Sequence, residues 1–95
     1  MAVTAGRMLR SPPLEGPALR ELIKQRLDDG TLPLTRPDKL YAGRGSGEPC
    51  TACGEPIYPM QIEYELDYPG ERRTLRLHLE CAGLWEALRL RRGAD

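Results

Sequence analysis

Two stretches of the chain alternate apolar and polar side chains at every second residue. In residues 61–68, Ile62, Tyr64, Leu66 and Tyr68 fall on one side and Gln61, Glu63, Glu65 and Asp67 on the other, the pattern of a half-buried strand. Residues 73–79 repeat it, with Leu75, Leu77 and Leu79 as the apolar set, and the intervening Pro69-Gly70-Glu71 reads as a turn. The two runs predict a β-hairpin in which the acids of the first strand meet Arg72, Arg73 and Arg76 of the second. Cross-strand pairs of this kind contribute roughly 0.2–1 kcal/mol each. Strict alternation sets Arg76 and His78 on the face opposite Leu77 and Leu79, so the strand is expected to end near His78.

From Glu80 onward the period lengthens. Cys81, Leu84, Trp85 and Leu88 stand at i, i+3, i+4 and i+7, which predicts a helix with Cys81 in its first turn. Arg89, Arg91 and Arg92 crowd its far end, where cations complement the helix dipole. A second helix is predicted over residues 17–30. Pro17 suits its first position, Leu19, Leu22, Ile23 and Leu27 form one stripe, and Gly30 ends it. That stripe is expected to pack on the remainder of the chain. Residues 1–16 read as a flexible leader. Residues 31–47, with two prolines and three glycines, read as an extended connector over the surface. The glycines of residues 41–47 (YAGRGSG) bring a phosphate loop to mind, but neither its Lys-Ser ending nor a following helix is present, and a simple lead-in fits better.

Candidate chemistry concentrates in four residues. Cys50 and Cys53 form a CxxC; after 24 residues His78 and Cys81 form an HxxC, and the set uses every cysteine and the only histidine. A CxxC places two sulfurs on one side of a tight turn, here followed by Gly54, a bite suited to tetrahedral zinc with Zn–S bonds of about 2.3 Å. Four protein donors close the coordination sphere, the mark of a structural rather than a catalytic site. Three other readings compete. The cysteines are scattered core thiols beside a surface histidine; the CxxC is a redox pair, although no strand-then-helix pattern of the thioredoxin kind surrounds it; or the thiols form a disulfide framework, which three cysteines would leave with one unpaired. Thiolates reserved for a metal imply a reducing compartment, and the expected localisation is cytoplasmic.

Composition narrows the function classes. The 95 residues include no phenylalanine, one tryptophan and four tyrosines, so the core is mostly leucine, and a unit this small ordinarily needs a staple such as a metal. Net charge is zero, with 14 basic and 14 acidic side chains, which argues against non-specific binding to a polyanion. Residues 50–95 hold six Lys or Arg against eight acids. No apolar run reaches the length of a signal peptide or of a membrane span. With His78 committed to the metal, no histidine is left for acid–base work, and an enzyme is the least expected class. No small-molecule substrate is evident.

A cysteine knuckle, a hairpin, and a helix whose first turn returns the second ligand pair resemble a treble-clef zinc finger over residues 48–92. More narrowly, CTACGEPI followed by a hairpin and HLECAGLW is similar to the poly(ADP-ribose) polymerase-type zinc finger, with CxxC, a longer gap and HxxC. The resemblance implies one Zn²⁺ held by Cys50, Cys53, His78 and Cys81, with Trp85 near the aromatic that follows the last ligand, and a family function of recognising DNA ends and breaks. The gap here is shorter and the metal-bearing half is not basic. LIM-type fingers share the HxxC element but come as pairs with two zincs, and this chain has one ligand set. The layout is also similar to that of short bacterial proteins, a likeness that implies no activity. The resulting expectation is an α+β, zinc-stabilised, treble-clef-like domain preceded by an amphipathic helix. Its expected role is a non-catalytic module that binds a protein partner through the hairpin edge or the amino-terminal helix. The alternative is DNA binding through Arg72, Arg73, Arg76, Arg89, Arg91 and Arg92.

Overall fold

The computed structural model describes residues 16–93; the expected leader lies, but for Gly16, outside the described residues. Helix α1 spans Gly16–Asp28, strand β1 Lys39–Arg44, β2 Ile62–Tyr68, β3 Arg73–His78 and helix α2 Leu79–Arg91. A short 3-10 turn, Pro69–Glu71, joins β2 to β3. The strands form one antiparallel sheet in the order β1-β2-β3, and the chain is of the α+β class.

The hairpin folds where the alternation placed it. Leu66 pairs with Leu75 and Tyr64 with Leu77 across the strands, so apolar side chains share one face, and α2 packs on that face. Leu66, Leu75, Leu77, Trp85 and Leu88 are buried there together with Leu19, Ile23 and Leu27 of α1. The stripe of α1 therefore belongs to the core, and α1 lies against α2. Leu22, the remaining member of the stripe, is half-buried. Beyond Asp28 the backbone at Gly30 takes φ +83°, a left-handed conformation that glycine adopts without steric cost.

Strand β1 corrects the expected connector. Residues 39–44 pair with β2 in register from Lys39 opposite Asp67 to Arg44 opposite Ile62, so the sheet has three strands rather than the two of a lone hairpin. Every residue of β1 is exposed. Its conformation comes from backbone hydrogen bonding and not from burial, and a search for an apolar face has nothing to detect in it.

The preceding segment is strapped to the body rather than loose. Leu32 is fully buried, Trp85 Nε1 donates to the Pro33 carbonyl at 2.8 Å, the Tyr68 hydroxyl donates to the Thr35 carbonyl at 2.8 Å, and Arg89 Nη1 reaches the Leu34 carbonyl at 3.4 Å. Burial pushes the Tyr68 phenol up to about 12. A segment whose own sequence is nearly structureless is thus held by polar groups reaching out of the sheet and α2.

The hairpin alternation fails at one end. Ile62, expected inside, is 48 % exposed, and Glu63, expected outside, is only 6 % exposed. Ile62 pairs with Arg44 at the end of β1. The face that carries Glu63 is covered by the lead-in to the first cysteine pair. Ser46 donates to the Glu63 carboxylate from both its backbone N–H, at 2.9 Å, and its hydroxyl, at 2.7 Å.

One glycine of that lead-in, Gly45, is sterically required. Its N–H donates to the Gln61 carbonyl at 2.9 Å, and a Cβ at this position would collide with the backbone carbonyls of Ile57 and Tyr58. Gly43, two residues earlier, has open space around it. Gly45→Ala is therefore expected to lower the thermal midpoint by several degrees, a loss of about 2 kcal/mol or more. Gly43→Ala should leave the midpoint unchanged or raise it slightly. Paired thermal melts of the two variants check the assignment, and equal effects would refute it.

Candidate metal centre

The four donors arrive from three directions. Residues 50–53 make a tight turn in which Gly54 N–H donates to the Cys50 carbonyl at 2.8 Å, with Gly54 at φ +84°. The Cys50 N–H donates to the Glu55 carbonyl at 2.9 Å, and a bridge between Pro49 and Pro56 closes the loop behind it. This knuckle is docked on the outer edge of β3: Thr51 N–H donates to the Arg76 carbonyl at 2.8 Å, and the Arg76 N–H returns to Thr51 Oγ1 at 3.4 Å. His78 ends β3 and stands as the cap residue before α2. Cys81 follows in the first turn of the helix.

His78 is still extended, at φ −65° and ψ 157°, and pairs with Glu63, so strand alternation sets its side chain opposite Leu77, on the face that the lead-in to the knuckle covers. The potential ligand atoms of Cys50, Cys53, His78 and Cys81 all lie within 4.8 Å of one another, and Cys53 Sγ is 3.5 Å from His78 Nδ1. Bonds of about 2.3 Å to sulfur and about 2.0 Å to nitrogen give a tetrahedral S···N edge of about 3.5 Å. The four donors are thus close enough to hold a metal ion, and the Cys53–His78 edge matches that of a tetrahedral site. Cys50 and Cys81 are each 2 % exposed and His78 is 7 % exposed, while Cys53 lies at the half-buried rim.

Surrounding groups orient the donors. His78 Nε2 lies 3.1 Å from the Pro56 carbonyl oxygen. That contact requires the proton on Nε2, which leaves the Nδ1 lone pair facing the sulfurs, the tautomer a metal ligand needs. Backbone N–H groups of Cys53 and His78 donate to the Cys50 sulfur, and that of Glu55 to the Cys53 sulfur. Such donors stabilise thiolate over thiol.

Electrostatics in the cluster are one-sided. The Cys50 thiol is held far below its ordinary range, first by the Cys53 and Cys81 thiols that donate to it and then by the backbone donors. Cys53 and Cys81 are pushed up, each chiefly by its contact with Cys50, with burial adding to the shift. One thiolate forms readily and suppresses the next, because like charges in a buried site repel. A divalent cation reverses this balance by supplying the positive charge that all three thiolates share.

Glu63 belongs to the same neighbourhood, although the alternation had placed it in solvent. It pairs with His78 across the strands and lies beside Arg76, whose Nε is 3.3 Å from Glu63 Oε2, an ion contact rather than a well-directed hydrogen bond. Neither Glu63 nor the Pro56 carbonyl carried a usable sequence signal. The first is masked by a regular strand pattern, and the second acts through a backbone atom.

The six arginines offered by the sequence as a nucleic-acid surface differ in their surroundings. Arg89 is inside: its side chain is 2 % exposed, it donates to both carboxylate oxygens of Glu86 at 3.1 and 3.0 Å, and its guanidinium sits 5.2 Å from the Trp85 ring centroid. Arg73 holds Glu71 at 2.9 Å and the carbonyls of Gly30 and Thr31 at 3.2 Å. Arg92 bonds Asp28 of α1 at 2.7 Å, and Arg76 faces Glu63. Arg72 and Arg91 are exposed, Arg72 in the left-handed region at φ 55°. Among the described residues no helix is long and apolar enough to cross a membrane. Comparison with protein families, with curated proteins and with solved structures found no match to the chain.

Glu63→Ala leaves the Ser46 N–H and hydroxyl without their acceptor beside the knuckle. The expected result is a loss of about 1–3 kcal/mol in stability and metal affinity weakened several-fold, read by competition with a chromophoric chelator. Unchanged affinity would show that the lead-in does not support the metal centre.

Proposed function

We propose that the protein is a non-catalytic interaction module of treble-clef layout, folded around one structural zinc held by Cys50, Cys53, His78 and Cys81. The observation that carries this reading is the convergence of the knuckle, the end of β3 and the first turn of α2 on four mutually close donors, three of them buried. Three thiolates and one imidazole form a set that selects zinc over hard cations. All four positions are protein atoms, so a tetrahedral ion bound here has no site for an activated water. The sole histidine is a ligand and cannot serve as a general base. The zinc's contribution is cohesion in a domain whose leucine-rich core is small. A thiolate-bound metal suits a reducing compartment, in keeping with a cytoplasmic setting.

For the partner, protein is better supported than nucleic acid. Nucleic-acid affinity rests on cations free to neutralise phosphates. Here Arg89 is buried, Arg73, Arg76 and Arg92 face carboxylates, and the net charge is zero. Exposed apolar side chains are present instead, among them Leu40, Ile62 and Leu79.

Purified protein is expected to hold one zinc per chain by elemental analysis. Cobalt(II) in its place should show the visible spectrum of a tetrahedral thiolate-rich site. Cys81→Ser should lose stoichiometric metal and unfold cooperatively at a temperature at least 10 °C lower. Substoichiometric zinc, or a Cys81→Ser protein as stable as wild type in chelator, would refute the structural role. Duplex, nicked and single-stranded oligonucleotides titrated at low salt are expected to show no binding; salt-sensitive binding would move the reading to DNA.

A further inference from the structure

The strand that the connector conceals has one unpaired edge. Gly45 pairs with Gln61 through its N–H, and in an antiparallel ladder such inward bonds recur at every second residue. Lys39, Tyr41 and Gly43 therefore turn their backbone groups toward β2, and Leu40, Ala42 and Arg44 turn theirs away from it. Among the described residues nothing pairs with β1 on that side: it is the terminal strand of the sheet and is exposed throughout. The opposite edge of the sheet is different, because the knuckle is docked on β3 through Thr51. Residues 39–44 contain no proline, and the charges on this edge, Lys39 and Arg44, guard it against a second basic edge rather than an acidic one.

Beside this edge, on the face that α2 only partly covers, runs an apolar cleft of about 400 Å³. Its lining includes Leu40, Tyr64, Leu66, Leu79 and Trp85. Leu40 and Leu79 are 59 % and 47 % exposed, and Gly83 of α2 opens onto free space. One cation lines it and a second stands farther along β1, outside its lining. Arg36 lines the cleft before β1, and Arg44 closes β1 on the same face as Leu40 and Ala42. Neither has a carboxylate partner among the described residues. The one acid in the cleft wall, Glu86, is held by Arg89.

We infer that β1 is a docking edge for an extended segment of another protein, which adds as a fourth strand, places an alternate apolar side chain in the cleft beside Leu40, and presents acids to Arg36 and Arg44. The backbone edge supplies the hydrogen bonds and the cleft supplies the specificity, as in other strand-addition interfaces. Charge argues against the two occupants the chain itself offers. Residues 36–44 carry Arg36, Lys39 and Arg44 against Asp38 alone, so pairing β1 with a second copy sets two net-positive edges side by side, which is destabilising. The segment 1–15 carries Arg7 and Arg10 against Glu15 alone. A nucleic acid would meet the two arginines but would use neither the backbone edge nor the apolar cleft. This inference rests on the reading of the protein as a protein-interaction module and specifies its surface.

The test is panning of random twelve-residue peptides displayed on phage against the zinc-loaded full chain, in parallel with Ala42→Pro, which removes an outward N–H that bonds nothing in the sheet. Wild type is expected to enrich peptides with alternating apolar residues and acidic flanks. Ala42→Pro should bind the same synthetic peptides at least tenfold more weakly, with thermal midpoint and cobalt spectrum unchanged. If Ala42→Pro does not fold, the charge reversal Arg36→Glu with Arg44→Glu replaces it and should give the same tenfold loss. Peptides that bind the variants as well as wild type, or that carry basic flanks, overturn the docking edge and leave the interaction reading standing. No enrichment on any of the chains overturns both. Dimerisation or oligonucleotide binding abolished by Ala42→Pro would assign the edge to another occupant and likewise overturn the proposal.

Discussion

Everything in this domain turns on the point where β3 becomes α2. His78 is at once the last residue of a strand, the cap of a helix and a donor in a four-membered cluster. Strand alternation sets its imidazole on the face opposite Leu77, where the knuckle brings Cys50 and Cys53, and the helix that starts at once brings Cys81 within reach. The Pro56 carbonyl then fixes which nitrogen carries the proton. The constraint is electrostatic as well as geometric. Three thiols this close suppress one another's ionisation, and a cation at their centre would relieve that repulsion.

The remaining structure is organised in two halves about that junction. On one side the knuckle is pinned to the outer edge of β3 and to its own closing bridge, with Glu63 and Ser46 bracing the approach. On the other, α2 supplies Trp85, Leu88 and Arg89 to a core that includes α1 and the strapped segment around Leu32. Arg89 shows how a small domain obtains order from a polar residue. Its stem and guanidinium fill space beside Trp85 while its donors satisfy Glu86 and a backbone carbonyl, so a charge is buried without being left unpaired. Of the arginines at this helix end, the inward one builds the core, while Arg92 meets Asp28 and Arg91 is exposed.

The same division separates what supports the fold from what is left for recognition. The candidate metal centre is largely enclosed and the knuckle side of the sheet is occupied, whereas β1 and the cleft beside it carry exposed Leu40 and Leu79. In so small a domain, apolar area left uncovered next to an unpaired strand edge is costly to keep, and its presence sets that face apart from the rest of the surface.

Much of this was legible in local pattern. The hairpin, both helices, the break at His78 and the four metal-competent residues follow from periodicity and spacing, because a strand face, a helix stripe and a CxxC turn are each determined by residues close together in the chain. The burial of the α1 stripe was anticipated for the same reason. What the amino-acid order left open depends on distant partners. Strand β1 exists because β2 offers it a ladder; Glu63 is buried because Ser46 arrives over it from 17 residues away; Arg89 is interior because Leu34 and Trp85 enclose it; and Gly45 is required because the backbone at Ile57 and Tyr58 crosses there. None of these side chains differs in type from its solvent-facing neighbours, so only the tertiary structure, which decides what lies opposite each one, could assign them.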